Sequence, residues 1–163
     1  MTEPHSAPPA SISRQSLTLA QYVEYRNGVP LGAPGSLQIM LNRSLGASTF
    51  KRFWQYWNPI WGYALGRYIF APIKRFLPAG IALILTFIAS GALHDLATTL
   101  VRGSLAFFFT PWFFLMSLIV VVEYTLGIDR SDQPFWARVA INLTYIVGCL
   151  LLTILITQAM NRA

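Results

Sequence analysis

Charge and sulfur are what this chain has least of. Only 11% of its 163 residues are charged, against about 25% in a typical soluble globular domain. Just 6 residues are acidic, so 12 basic ones leave a formal net charge of +6. The single cysteine, Cys149, excludes an intrachain disulfide, and its apolar setting suits a small buried hydrophobe. Two histidines, His5 and His94, cannot form a usual metal site with that cysteine, so neither a metal nor a resident cofactor is expected. No glycine-rich loop follows a strand-like run, which argues against a phosphate loop. The first thirty residues contain no apolar core of the secretory kind, so no cleaved signal is expected. The opening Met and polar lead segment suggest a complete chain.

What the chain has in quantity is apolar surface: hydrophobic residues make up 55% of it. Three apolar runs stand out, from about Ala79 to Leu100, Leu105 to Tyr124 and Val139 to Gln158. Each has about the 20 residues that carry a helix across a bilayer. The expected fold class is therefore all-α, an integral membrane protein. It would have about three transmembrane helices and an interfacial or re-entrant aromatic segment ahead of them. Residues 1–16, rich in Pro, Ser and Ala, read as a disordered tail. Residues 17–77 read as a cytoplasmic or interfacial amphipathic segment, and 78–163 as the transmembrane helical domain.

Within the middle segment, Leu17 to Tyr25 suits a short amphipathic helix, and Asn27 to Gly35 breaks any regular element. Ser36 suits the start of a helix through Leu45, and Ser48 or Thr49 the cap of another over Phe50 to Tyr56. Pro59 forces a break at Asn58, because the residue before proline avoids the α region. Eight of the twelve basic residues precede the first apolar run. They fit anionic headgroups rather than nucleic acid, and by the positive-inside rule they place the N-terminal part in the cytoplasm. The expected location is the cell (inner) membrane, multi-pass, with the bilayer itself as a partner.

His94 lies inside the first apolar run, where an ionisable residue is costly and a functional role is the default. Ser90 is four residues back on the same helix face and Gly91 three back, small enough to let a helix or substrate chain approach. A low-dielectric surrounding favours the uncharged imidazole, which can take a proton from a hydroxyl as a general base. A bond to a neighbouring helix is the structural alternative for His94. Asp95 points about 100° away from His94 around the helix and suits capping a helix fragment or bonding Thr98 or Thr99. Asn58 lies among Trp54, Tyr56, Trp57 and Trp61. Its carboxamide offers two N–H donors for a carbonyl oxygen, or serves simply as a turn residue before proline. The aromatic cluster alone reads as an interface belt. Glu123 suits pairing with a basic residue, and Asn142 and Tyr145 suit bonds between helices. Lys51, Arg52, Lys74 and Arg75 read as a topology signal, or more weakly as an attractor for an anionic acyl donor.

The motif Phe53-Trp54-Gln55-Tyr56-Trp57-Asn58-Pro59, followed by Ile69-Phe70-Ala71-Pro72-Ile73-Lys74-Arg75 and Phe87-Ile88-Ala89-Ser90-Gly91-Ala92-Leu93-His94-Asp95, resembles the membrane-bound O-acyltransferase (MBOAT) family. The likeness covers about residues 50 to 100 and corresponds to the family's C-terminal catalytic half. It implies transfer of an acyl group from a thioester, acyl-CoA or another, to a hydroxyl acceptor. His94 would then be the catalytic base and Asn58 the residue that positions or polarises the acyl carbonyl. Trp54, Trp57 and Ser90 would contact substrate. The family has many more spans than this chain, which implies a homo-oligomer, a partner membrane subunit or a shallower site. Two rivals stand beside that expectation. One is a noncatalytic membrane scaffold retaining the half-fold. The other is a lipid- or proton-handling subunit that uses His94, Asp95 and Glu123.

Overall fold

A computed structural model describes residues 17–160 and Arg162. The tail expected over 1–16 lies outside the described residues. Eight α-helices follow one another: α1 (Leu19–Asn27), α2 (Ser36–Leu45), α3 (Phe50–Tyr56), α4 (Pro59–Leu65), α5 (Ala71–Lys74), α6 (Ala79–Arg102), α7 (Phe109–Thr125) and α8 (Phe135–Met160). A π-helical turn, Gly66–Phe70, joins α4 to α5 without a break in the helical path. There is no strand among the described residues.

Local chemistry sets most boundaries. Thr18 and Gln21 close a reciprocal capping box on α1, and Gly28 ends that helix in left-handed backbone. Thr49 caps α3 through the Arg52 amide at 3.0 Å. Proline precedes α6 and α8, and Gly103 ends α6 at φ +66°. At 1.5 Å per residue, α6 and α8 are about 36 and 39 Å long, and both are apolar enough to cross a membrane. α7 is also apolar but shorter. Its apolar run begins at Leu105, yet the helix starts at Phe109. The amides of Phe108, Phe109 and Thr110 turn instead onto the Asp95 carboxylate.

α6 and α7 form an antiparallel hairpin. α3 inserts beside it and supplies the centre of the core, with Phe50 and Phe53 0% and 2% exposed. Around them pack Ala47, Met116, Val120 and Cys149, then Trp54, Phe87, Phe113 and Tyr145. The buried set is otherwise notably polar: Thr86, Ser90, Asp95, Ser117, Glu123, Asn142 and Thr153 face inward. The outer faces carry exposed leucines such as Leu96, Leu100, Leu151 and Leu155.

The hairpin depends on a close approach at Gly91. A Cβ there would stand 2.6 Å from Thr110 Cα and 2.8 Å from Phe109 O, both backbone atoms of α7. Gly148 on α8 has nothing within 4 Å of the same position. Gly91→Ala should therefore destabilise by about 1–3 kcal/mol. Gly148→Ala should be neutral or slightly stabilising, since alanine favours the helix. Thermal unfolding of the two variants in detergent checks this, and equal midpoints would contradict the crossing.

Candidate functional site

The Asn58–Pro59 pair sets the local geometry. Asn58 takes left-handed backbone at φ +42°, the only non-glycine among the described residues to do so. Asparagine visits that region more readily than most side chains. Pro59 opens α4 at its first position, where no amide hydrogen is required. The Asn58 side chain then caps the helix, its Oδ1 accepting the Trp61 amide at 3.2 Å. Its backbone N–H faces Met40 Sδ at 3.3 Å. Asn58 is exposed on a cleft that Val23, Asn27, Pro30 and Met40 also line; His94 is not among the lining residues.

His94 sits half-buried on α6. Its Nδ1 lies 2.7 Å from the Ser90 carbonyl oxygen. A carbonyl only accepts, so Nδ1 carries the hydrogen, and the uncharged tautomer with this bond has its lone pair on Nε2. No described residue hydrogen-bonds Nε2. Three aromatic rings surround the imidazole. Trp61 meets it edge-on at 5.8 Å between centroids, with Phe109 at 5.5 Å and Phe113 at 5.2 Å.

No direct bond joins Asn58 to His94. They are connected through Trp61, whose amide is held by Asn58 and whose indole N–H donates to Ser90 Oγ at 2.9 Å. Ser90 in turn presents its carbonyl to His94. Ser90 is thus buried between the two motifs. Trp54 packs among Phe50, Phe53, Phe87 and Phe113, with its indole N–H buried and lacking a partner among the described residues. Trp57 stacks on Phe53 at 5.7 Å and remains partly exposed. The cap on the Trp61 amide was open to inference from its spacing, though the indole contact to Ser90 was not. Trp61 is three residues beyond Asn58, where an N-cap side chain finds its amide. Phe109 and Phe113, four apart on one helix face, form the wall opposite.

The two buried carboxylates serve helix ends. Asp95 Oδ1 accepts the Phe108 and Phe109 amides, both at 2.8 Å. Its Oδ2 accepts the Thr110 amide at 2.8 Å and the Thr110 hydroxyl at 2.6 Å. Glu123 accepts the Phe50 amide at 2.6 Å at the start of α3, and Arg130 Nη1 stands 2.6 Å from its other oxygen. Arg130 also donates to the Tyr145 hydroxyl at 2.6 Å. Among the described residues no group of His, Cys, Asp or Glu is placed to hold a metal ion.

Asp95→Ala removes the acceptor for three amides at once and should destabilise by about 2 kcal/mol or more. Hydrogen exchange at Phe108 to Thr110 should rise in that variant before the rest of α7 opens. Unchanged protection there would show that the carboxylate is not the cap. Comparison of the chain with protein-family models, with curated proteins and with solved structures finds no match.

Proposed function

We propose that the chain is a multi-pass protein of the cell (inner) membrane, with α6, α7 and α8 as three spans and its N-terminal part in the cytoplasm. Buried polar residues such as Thr86, Ser117, Asn142 and Thr153 on the long helices, with leucines on their outer faces, suit a hydrocarbon solvent. Lys51, Arg52, Arg130 and Arg138 belong to one end, where α3 begins, α7 ends and α8 starts. Arg102 closes α6 at the other end, where Arg162 also follows α8. That asymmetry fits the positive-inside rule. The aromatic helix α3, broken at Asn58, is the interfacial or re-entrant element of this arrangement. Topology is tested by cysteine labelling in a Cys149→Ser background with a membrane-impermeant maleimide. Ser104→Cys should react in intact spheroplasts, and Ser131→Cys only after lysis. The opposite pattern, or labelling of both in intact cells, would reject the topology.

Within this frame we infer acyl transfer from a thioester, such as acyl-CoA, to a hydroxyl acceptor. The observation that carries the reading is His94, whose Nδ1–H is fixed by the Ser90 carbonyl and whose Nε2 is left inside an aromatic enclosure. Nε2 takes the hydroxyl proton as the oxygen attacks the acyl carbonyl. The C–O bond forms, the C–S bond breaks, and the proton goes to the leaving thiolate. With its Oδ1 engaged, Asn58 has its amide N–H groups left to orient the acyl oxygen, which must then reach past Trp61 from His94 to the cleft that Asn58 lines. Trp54, Trp57 and Ser90 are the neighbouring substrate contacts of this reading. The acyl thioester is a co-substrate, and no resident cofactor is required.

One observation favours a second reading. The turn and cap at Asn58 account for that residue without chemistry, as they would in a noncatalytic scaffold that docks a partner membrane subunit. The deciding assay uses purified protein, labelled acyl-CoA and pooled lipid alcohols. The wild type should transfer label, and His94→Ala should lose at least about 10²-fold. Asn58→Gly keeps the left-handed backbone, so its loss of rate reports the carboxamide, as cap of Trp61 and as donor together. Equal rates in wild type and His94→Ala would remove the mechanism. No transfer by folded wild type, with a stable subunit co-purifying, would favour the scaffold.

A further inference from the structure

The joint between α2 and α3 faces the start of α8 across a cleft of about 200 Å³. Arg43, Arg52 and Arg138 line it, together with Ser48, Tyr56 and Ser131. The Arg43 guanidinium lies over the Tyr56 ring, 4.9 Å from its centroid. Arg52 donates to Ser48 Oγ at 2.7 Å and stands 3.7 Å from Asp129 Oδ2. Arg138 lies near the start of α8, and its Nε is buried with no hydrogen-bond partner among the described residues. Gly46 keeps the floor narrow, since a Cβ there would collide with the Phe135 ring.

The charges in this cleft do not balance. Asp129 offsets Arg52, and Asp132 of the same loop makes no ion pair among the described residues. That leaves Arg43 and Arg138 without a carboxylate. α8 has no acidic residue in its first turn, so the positive end of its helix dipole adds to the same field. A tetrahedral oxyanion offsets this unbalanced charge, because the guanidinium fork matches phosphate oxygens.

We propose that this cleft is a phosphate-binding site, taking the phosphate of an anionic lipid headgroup or of a soluble phosphoester between Arg43 and Arg138. The Ser48 and Ser131 hydroxyls beside it bond the Asp129 carboxylate, which leaves the guanidinium groups as the donors. The lipid source rests on the membrane placement argued above, and neither source depends on acyl transfer. Phe135 and Trp136, exposed in the first turn of α8, are the residue types that anchor at headgroup level. They set the cleft at a height where a lipid phosphate can enter.

The test uses the full chain in neutral detergent, titrated separately with dioleoyl phosphatidylglycerol, phosphate-free dioleoylglycerol and inorganic phosphate. Thermal unfolding midpoints yield the apparent Kd. Phosphatidylglycerol should raise the wild-type midpoint and dioleoylglycerol should not. Arg43→Gln/Arg138→Gln should weaken the apparent affinity about tenfold. An arginine-dependent shift with inorganic phosphate alone would keep the site and assign it to a soluble phosphoester. Equal responses of wild type and double variant in every arm would overturn the proposal. If the double variant does not fold, Arg43→Gln alone carries the comparison, because Arg43 packs over Tyr56 without a carboxylate partner. An inactive acyl-transfer assay beside an arginine-dependent shift would separate this site from the enzymatic reading.

Discussion

The structure depends on buried polar side chains that satisfy helix ends of the matching sign. A helix begins with unpaired amides and finishes with unpaired carbonyls, and burying either without a partner is costly. Asp95 meets the amides that open α7, and Glu123 meets the amide that opens α3. At the opposite polarity, the Asn142 carboxamide donates to Leu45 O at 2.8 Å and Ala47 O at 3.0 Å, where α2 ends. Carboxylates sit at positive ends and an amide donor at a negative one, as the helix dipole requires. These three residues hold the long helices to each other and to the short ones.

Short helices need such anchoring more than long ones. α3 has seven residues, too few to persist alone in water. Yet it carries Phe50 and Phe53, the most buried aromatic side chains of the core. Its start is fixed by Glu123, and Glu123 is fixed in turn by Arg130 from the α7–α8 loop. The same loop returns the Arg130 amide to Ser48 O at 3.0 Å. The Asn58 turn and Trp61, which follow α3 directly, inherit their position from this cluster.

Most helices were legible in the sequence because their determinants are local. Three apolar runs, the start at Ser36 and the cap at Thr49 mark their places within a few residues, whereas the extents of α4, the π-helical turn and α5 carry no comparable local mark. The start of α7 was not legible, because it is decided by a carboxylate 13 to 15 residues earlier in the chain. Asp95 could be read as a cap, but nothing local named the amides it would hold. Glu123 suggested an ion pair, and Arg130 supplies it; the Phe50 amide, 73 residues away, left no trace in the pattern. The site shows the same division. His94, Ser90 and Asn58 stand out by residue type, whereas the link through Trp61 requires two helices to be in register.

Asp95 and His94 are neighbours in sequence and divide their work by direction. About 100° apart around α6, they cannot share a proton directly. Asp95 reaches the backbone of α7, while His94 faces Trp61 on one side and Phe109 and Phe113 on the other. Phe109 lies within the very turn that Asp95 caps, and Phe113 is one turn further. The carboxylate therefore places the aromatic wall against the imidazole without touching it, and Gly91 lets the two backbones come close enough for that wall to form. Asp95 in this arrangement is a positioning residue. Its loss would act on His94 through the geometry of α7, so its effect on any chemistry at Nε2 should follow the integrity of that helix start.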